Sequence, residues 1–143
     1  EGHQAGLDIL NDFPAPGSID VIFTVNDGGG LSVVELLAEA GRNEIIVASI
    51  DGDPASIDNI KSGRLTHIDS AQFCGPLGEA AMKAGYSVAT GHTVEKHILV
   101  PVFPITKETL HLYPGWLGPL PLSFRKPWAA NEPVWTGSIV TNK

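Results

Sequence analysis

Three short stretches of this sequence carry residues able to do chemistry: Asn26-Asp27 ahead of three glycines, Asp51-Gly52-Asp53, and Cys74 beside Gly75-Pro76. A glycine-rich loop can cradle a phosphate on its backbone N–H groups. Here no Lys-Ser/Thr pair and no GxGxxG spacing accompanies the glycines. They are expected to let the chain turn sharply, leaving Asn26 to present its amide. An amide both donates and accepts hydrogen bonds, which suits a hydroxyl that does the same. Paired carboxylates such as Asp51 and Asp53 could act in acid–base chemistry or hold a hard cation. Asp53 has a structural use as the cap of a helix opened by Pro54, and only Asp58 stands near as a further acidic ligand. Asp51 has no such use, so it is expected to accept from hydroxyl groups.

No enzymatic constellation follows from the remaining reactive residues. The histidines, His3, His67, His92, His97 and His111, show neither HxxxH nor HExxH spacing. No serine occupies a G-x-S-x-G elbow. Cys74 sits at a loop-to-helix junction, where a thiol's pKa can fall, but no base is paired with it. The sequence therefore predicts a binding module, not an enzyme, with no catalytic residues, no metal and no cofactor.

The elements that must position these residues alternate. Leu7, Ile9 and Leu10 fit a short helix ending before Pro14, and 14–17 a turn. Ile19 to Val25 is a β-branched and aromatic run suited to a buried parallel strand. Leu31 to Ala40 follows as a helix, with Leu31, Val34, Leu37 and Ala38 on one face and Gly41 closing it. Glu44 to Ile50 is a second buried strand, 54–62 a helix broken by Gly63, and Leu65 to Ala71 a third, weaker strand. Leu77 to Ala89 reads as a helix, and His97 to Ile105 as an extended segment interrupted by prolines. This is the pattern of an α/β fold, a parallel sheet flanked by helices. In such sheets ligands bind beyond the carboxyl ends of the strands, which selects Asn26-Asp27, Asp51 and Gln72.

The 143 residues are 43% apolar and 17% charged, enough to bury a core. The formal charge of −7, with basic residues scattered, argues against nucleic acid as a partner. One cysteine excludes an internal disulfide framework. No apolar run approaches the roughly 20 residues of a membrane-spanning helix. From about Leu110 the chain turns rich in Pro, Gly and Trp without periodicity. That tail is expected to pack its aromatic residues over the domain surface, or else to form a protein contact.

Four strings now resemble a known family in order and context: Ile22-Phe-Thr-Val-Asn-Asp27, Ile46-Val-Ala-Ser-Ile-Asp-Gly52, Ile60-Lys-Ser-Gly-Arg-Leu65 and Ile98 to Lys107. Together, over residues 6–109, they resemble the C-terminal lobe of the type 1 periplasmic sugar-binding proteins, the ribose-binding-protein-like receptors of ABC transporters. The resemblance implies a periplasmic-binding-protein-like lobe, apparently a fragment, of a two-lobed receptor that closes on a monosaccharide or polyol and delivers it to a transporter permease in the periplasm. The ligand-contacting Asn, Asp and Gln of the family match Asn26, Asp51 and Gln72, the last after one extra residue. On this reading 1–72 carries the C-terminal-lobe βα units, 73–109 the return toward the first lobe and hinge, and 110–143 a C-terminal extension. The family is close to twice this length, and the tryptophan-rich tail is not one of its usual features. Uncovered sheet surface makes self-association an expectation.

The alternative is the effector-binding domain of a lac-repressor-type regulator, which shares the fold and the strand ends. The coding sequence upstream distinguishes the two: a signal peptide marks the transport protein and a helix-turn-helix the regulator.

Overall fold

Alternating strands and helices run through the computed structural model, which describes residues 1–125 and 134–142. The stretch of the tail from Lys126 to Pro133, with Trp128, lies outside the described residues. The chain divides into two compact units: Glu1–Ala71 with Pro104–His111, and Gln72–Phe103 with Leu112 onward. Its elements are α1 (Gly2–Asp12), β1 (Val21–Phe23), α2 (Asp27–Glu39), β2 (Ile46–Asp51), α3 (Pro54–Ser62) and β3 (Thr66–Ala71). There follow α4 (Cys74–Ala89), β4 (His97–Leu99), β5 (Phe103–Ile105), a 3-10 turn at Leu110–Leu112, β6 (Phe124–Arg125), β7 (Val134–Trp135) and β8 (Val140–Asn142).

The first unit is built on a sheet of order β1-β2-β3-β5, in which β1, β2 and β3 run parallel. The α/β class with a parallel sheet flanked by helices is thus as expected. Its core joins Val33, Val34 and Leu37 of α2 to Ile45, Val47 and Leu65, with Leu10, Ile19, Ile22 and Ala38 packed against them. The buried face of α2 is therefore turned slightly from the expected one: Val33 replaces Leu31, which is half-buried.

Two glycines on α1 let it press onto α2. A Cβ at Gly6 would lie 2.7 Å from Leu36 Cδ1, and one at Gly2 would meet the backbone of Gly29. The buried Arg42 guanidinium donates to Glu44 Oε1 at 2.6 Å and to the Phe13 carbonyl at 2.7 Å. It thereby ties the 13–18 turn to the approach of β2. Glu44 is held below the ordinary carboxylate range, first by that hydrogen bond from Arg42.

β1 departs from its expectation. It is three residues long, not seven, and it is an edge strand with Val21, Phe23 and Val25 exposed. Its apolar run is one of a sheet margin, and hydrophobicity alone does not separate an edge from a central strand. α2 also begins at Asp27, so Gly28, Gly29 and Gly30 lie inside its first turn and not in a loop. An asparagine cap initiates the helix four residues before its apolar face starts.

In the second unit α4 starts at Cys74, three residues earlier than its apolar pattern, and buries none of its residues. Phe73, Phe103, Tyr113 and Phe124 form an aromatic cluster, with Phe103 and Tyr113 stacked at 5.9 Å between ring centroids. The Trp116 carbonyl accepts from Gly75 N at 3.2 Å. The tail is not without strand structure, as its composition suggested. β8 pairs antiparallel with β4, and β6 pairs with β7.

Candidate functional site

The carboxyl ends of β1 and β2 are knitted together by short polar side chains. Thr24, just after β1, takes the Ala48 carbonyl with its backbone N–H at 2.9 Å and donates its hydroxyl to Ser49 Oγ at 2.9 Å. Ser49 donates onward to Asp27 Oδ1. Gly30 makes room for this relay, because a Cβ there would stand 2.6 Å from Thr24 Oγ1. Asn26 has extended backbone and caps α2, its Oδ1 accepting from Gly29 N at 2.8 Å. The amide oxygen is therefore engaged by the helix, and Asn26 as a residue is exposed.

β2 ends at Asp51, which is half-buried and adopts φ 128°. A non-glycine residue in that region carries a backbone cost of order 1–3 kcal/mol and persists only where its surroundings impose it. Gly52 follows at φ 81°, where the lack of a Cβ removes that cost. Asp53 caps α3 as expected, accepting from Ala55 N at 2.8 Å ahead of Pro54.

What holds the turn is a pair of buried carboxylates: Asp27, which the strand-end rule selected together with Asn26 but which was not expected to contact the ligand, and Asp69, which the sequence motifs did not include. Asp27 is 2% exposed and Asp69 fully buried. Asp69 Oδ1 accepts from Gly52 N at 3.0 Å, and its Oδ2 accepts from Ser56 Oγ at 2.7 Å. Asp27 Oδ2 accepts from Asp53 N at 2.7 Å, while Asp27 N approaches Asp51 Oδ2 at 3.4 Å. Burial first, and then the neighbouring Asp27 through a hydrogen bond and its charge, push the Asp69 carboxyl up to about 7 against the Ser56 and Gly52 donors. The signal for Asp69 was present in the sequence: an acid inside Thr66–Ala71, a strand with helices on its sheet, must be satisfied internally.

The structure brings Asn26 and Asp51 to the ends of neighbouring strands in the first unit. Gln72 directly follows β3, is half-buried, and opens the second unit. All five histidines are exposed, as is Cys74 at the start of α4. A groove of about 340 Å³ beside β1 is lined by Ile9, Ile22, Phe23, Val25, Asn26 and Val33. Its walls are mostly apolar and it does not include Asp51, so it is a poor match for a polyhydroxylated ligand.

Residues 1–93 match the family model described as a periplasmic binding protein domain. The chain belongs to that family. Among solved structures, this periplasmic binding protein domain is similar to an ABC transporter solute-binding protein from Agrobacterium vitis with bound allitol, at 29% identity and a TM-score of 0.70. It is similar also to one from Bacillus halodurans with bound myo-inositol, at 26% identity and a TM-score of 0.66. A Mycobacterium smegmatis solute-binding protein with bound glycerol shares the fold, with a TM-score of 0.71 at 21% identity. Each match covers 77% of this chain and 37–38% of the other, so the chain spans well under half the length of these structures. No curated protein sequence matches.

Proposed function

We propose that the chain is the ligand-binding lobe of a solute-binding component of a sugar ABC transporter, non-enzymatic, with Asn26, Asp51 and Gln72 contacting a monosaccharide or polyol. The observation that carries the reading is the backbone of Asp51. Glycine would sit at φ 128° without cost, and a strained aspartate at the carboxyl end of a parallel strand points to a use for its carboxylate. A carboxylate accepting from two hydroxyls, beside an amide that can donate, is suited to vicinal diols. Bound allitol and myo-inositol in the similar proteins support a polyol-sized ligand.

In this reading 1–72 carries the lobe's βα units, 73–109 the return segment and hinge, and 110–143 an extension. The partners are a transporter permease, in the periplasm, and a second copy of the chain along the exposed Val21 and Phe23 of the edge strand β1. Nucleic acid is disfavoured by the net charge of −7.

The test is calorimetric titration of the intact two-lobed protein that contains this lobe, and of its Asp51→Ala variant, with allitol and myo-inositol; the 143 residues alone, which supply one lobe's contacts, are expected to bind weakly. The expected result is binding by the native protein and a loss of order 2–3 kcal/mol in the variant, from removal of a charged acceptor. Equal affinity in the two proteins removes Asp51 from the site, and binding of neither probe by the native protein counts against the polyol reading.

A further inference from the structure

The most unusual cluster in the molecule is the pair of buried acids beneath the Asp51 turn. Asp69 and Asp27 together take four donors: Gly52 N, Ser56 Oγ, Asp53 N and Ser49 Oγ. Two of these are consecutive backbone N–H groups immediately following Asp51. The turn that aims Asp51 is therefore fixed by carboxylates that face the interior.

The surroundings of the pair are acidic. Among the described residues, the titratable groups bonded to it are Asp51 from β2 and Asp53 at the head of α3, while β5, Phe103-Pro-Ile, has none. On β3 itself His67 is exposed. The salt bridges among the described residues, Arg42–Glu44, Lys61–Asp58 and Lys83–Glu79, involve neither carboxylate. Two buried carboxylates in such a setting cannot both ionise without a large desolvation and repulsion penalty.

We infer that Asp69 is a positioning residue for Asp51, holding a proton that it donates to the Asp27 carboxylate, and that loss of this proton loosens the Asp51 turn and lowers polyol affinity. The inference rests on the proposed function for its ligand, but its structural half concerns the unliganded protein. With the proton present, Asp69 donates to Asp27 while both keep acceptors for Gly52 and Asp53. Without it, two adjacent anions repel across the same pair of backbone donors. By linkage, a ligand that needs the ordered turn must also favour the protonated pair.

A merely structural role for Asp69 predicts a loss on truncation but no particular pH profile, so pH separates the two. Myo-inositol and allitol are titrated calorimetrically into the intact two-lobed protein and into its Asp69→Asn and Asp69→Ala variants between pH 5.5 and 8.5. The expected result is a several-fold weakening of native affinity on crossing neutral pH. Asp69→Asn, whose amide supplies a permanent donor to Asp27, is expected to bind independently of pH, and Asp69→Ala to bind at least tenfold more weakly throughout. A native profile retained unchanged by Asp69→Asn, or native affinity in Asp69→Ala, overturns the inference.

A second measurement keeps it apart from the choice of ligand. In the unliganded protein, the side-chain carboxyl ¹³C resonance of Asp69 and the amide resonances of Gly52 and Asp53 are followed against pH by NMR. A common midpoint near neutrality supports the inference even if neither polyol binds, in which case only the proposed function fails. Titration of Asp69 in the ordinary carboxylate range, or Gly52 and Asp53 amides that ignore it, overturns the inference whatever the sugar data show.

Discussion

Asp69 and Asp27 grip consecutive links of one turn: the Asp69 carboxylate accepts from Gly52 N at 3.0 Å and the Asp27 carboxylate from Asp53 N at 2.7 Å. The two acids come from different elements, one from inside β3 and one from the first residue of α2. Each also takes a serine hydroxyl, Ser56 and Ser49. The end of β2 is thus tied to its neighbours on both sides, and no buried polar side-chain atom among the described residues lacks a partner.

The first prediction concerns pH and stability. Asp69 has its folded-state pKa raised from 3.8 to about 7, so the folded protein holds a proton that the unfolded chain releases. Its contribution is fully present below about pH 4 and is lost as pH rises through neutrality. Urea unfolding at pH 5 and pH 8 should therefore show the native protein losing on the order of 2–3 kcal/mol relative to Asp69→Asn over that interval. Parallel profiles for the two proteins would contradict the assignment.

A second prediction uses two glycines of α2. At Gly30 an added Cβ would collide with Thr24 Oγ1 and press on Ser49 Oγ at 3.1 Å, whereas at Gly28 the nearest atom is Asn26 Oδ1 at 3.7 Å. Gly30→Ala should destabilise by about 1–3 kcal/mol through overpacking. Gly28→Ala should gain a few tenths of a kcal/mol from the lower entropy of its unfolded state. Denaturant midpoints for the two variants should shift in opposite directions.

How far the sequence reached is clearest at these residues. Asp53 before Pro54 and Gly63 after Ser62 are local signals, and the cap and the left-handed terminus at φ 76° are where those signals put them. Asn26 and Asp51 followed from a rule about strand ends, which needs only the order of the elements. The edge position of β1 was hidden because Val21 and Phe23 are as apolar as any core residue, yet they are 55% and 65% exposed. The partnership of Asp27 with Asp69 was hidden for a different reason. It joins residues 42 positions apart, and no local pattern encodes which buried acid will meet which. The three short strands among the described residues of the tail could not be read either, since two- and three-residue strands fall below any periodicity.

The third prediction separates the two uses of Asn26. Its Oδ1 caps α2, so Asn26→Ala should cost about 1 kcal/mol of stability, while Asn26→Asp keeps the cap and places an anion at a helix N-terminus. Stability should fall only in the alanine variant. Polyol affinity should fall in both, because aspartate lacks the amide donor. Aspartate at full affinity would leave Asn26 as a cap and nothing more.

The fourth prediction sets stability against binding at Asp51. Both Asp51→Ala and Asp51→Gly remove the carboxylate, and both should weaken polyol binding at least tenfold, a loss of about 1.4 kcal/mol or more. They should differ in stability. Alanine keeps the Cβ that makes φ 128° costly, whereas glycine relieves it, so Asp51→Gly should be the more stable by about 1 kcal/mol. Chemical denaturation checks the ordering, and alanine equal to glycine would mean that the backbone at residue 51 relaxes once the carboxylate is gone. That result would place the origin of the strain in the carboxylate's own contacts. The expected ordering places it in the turn held by Asp27 and Asp69, which stays in the left-handed region whichever residue occupies position 51.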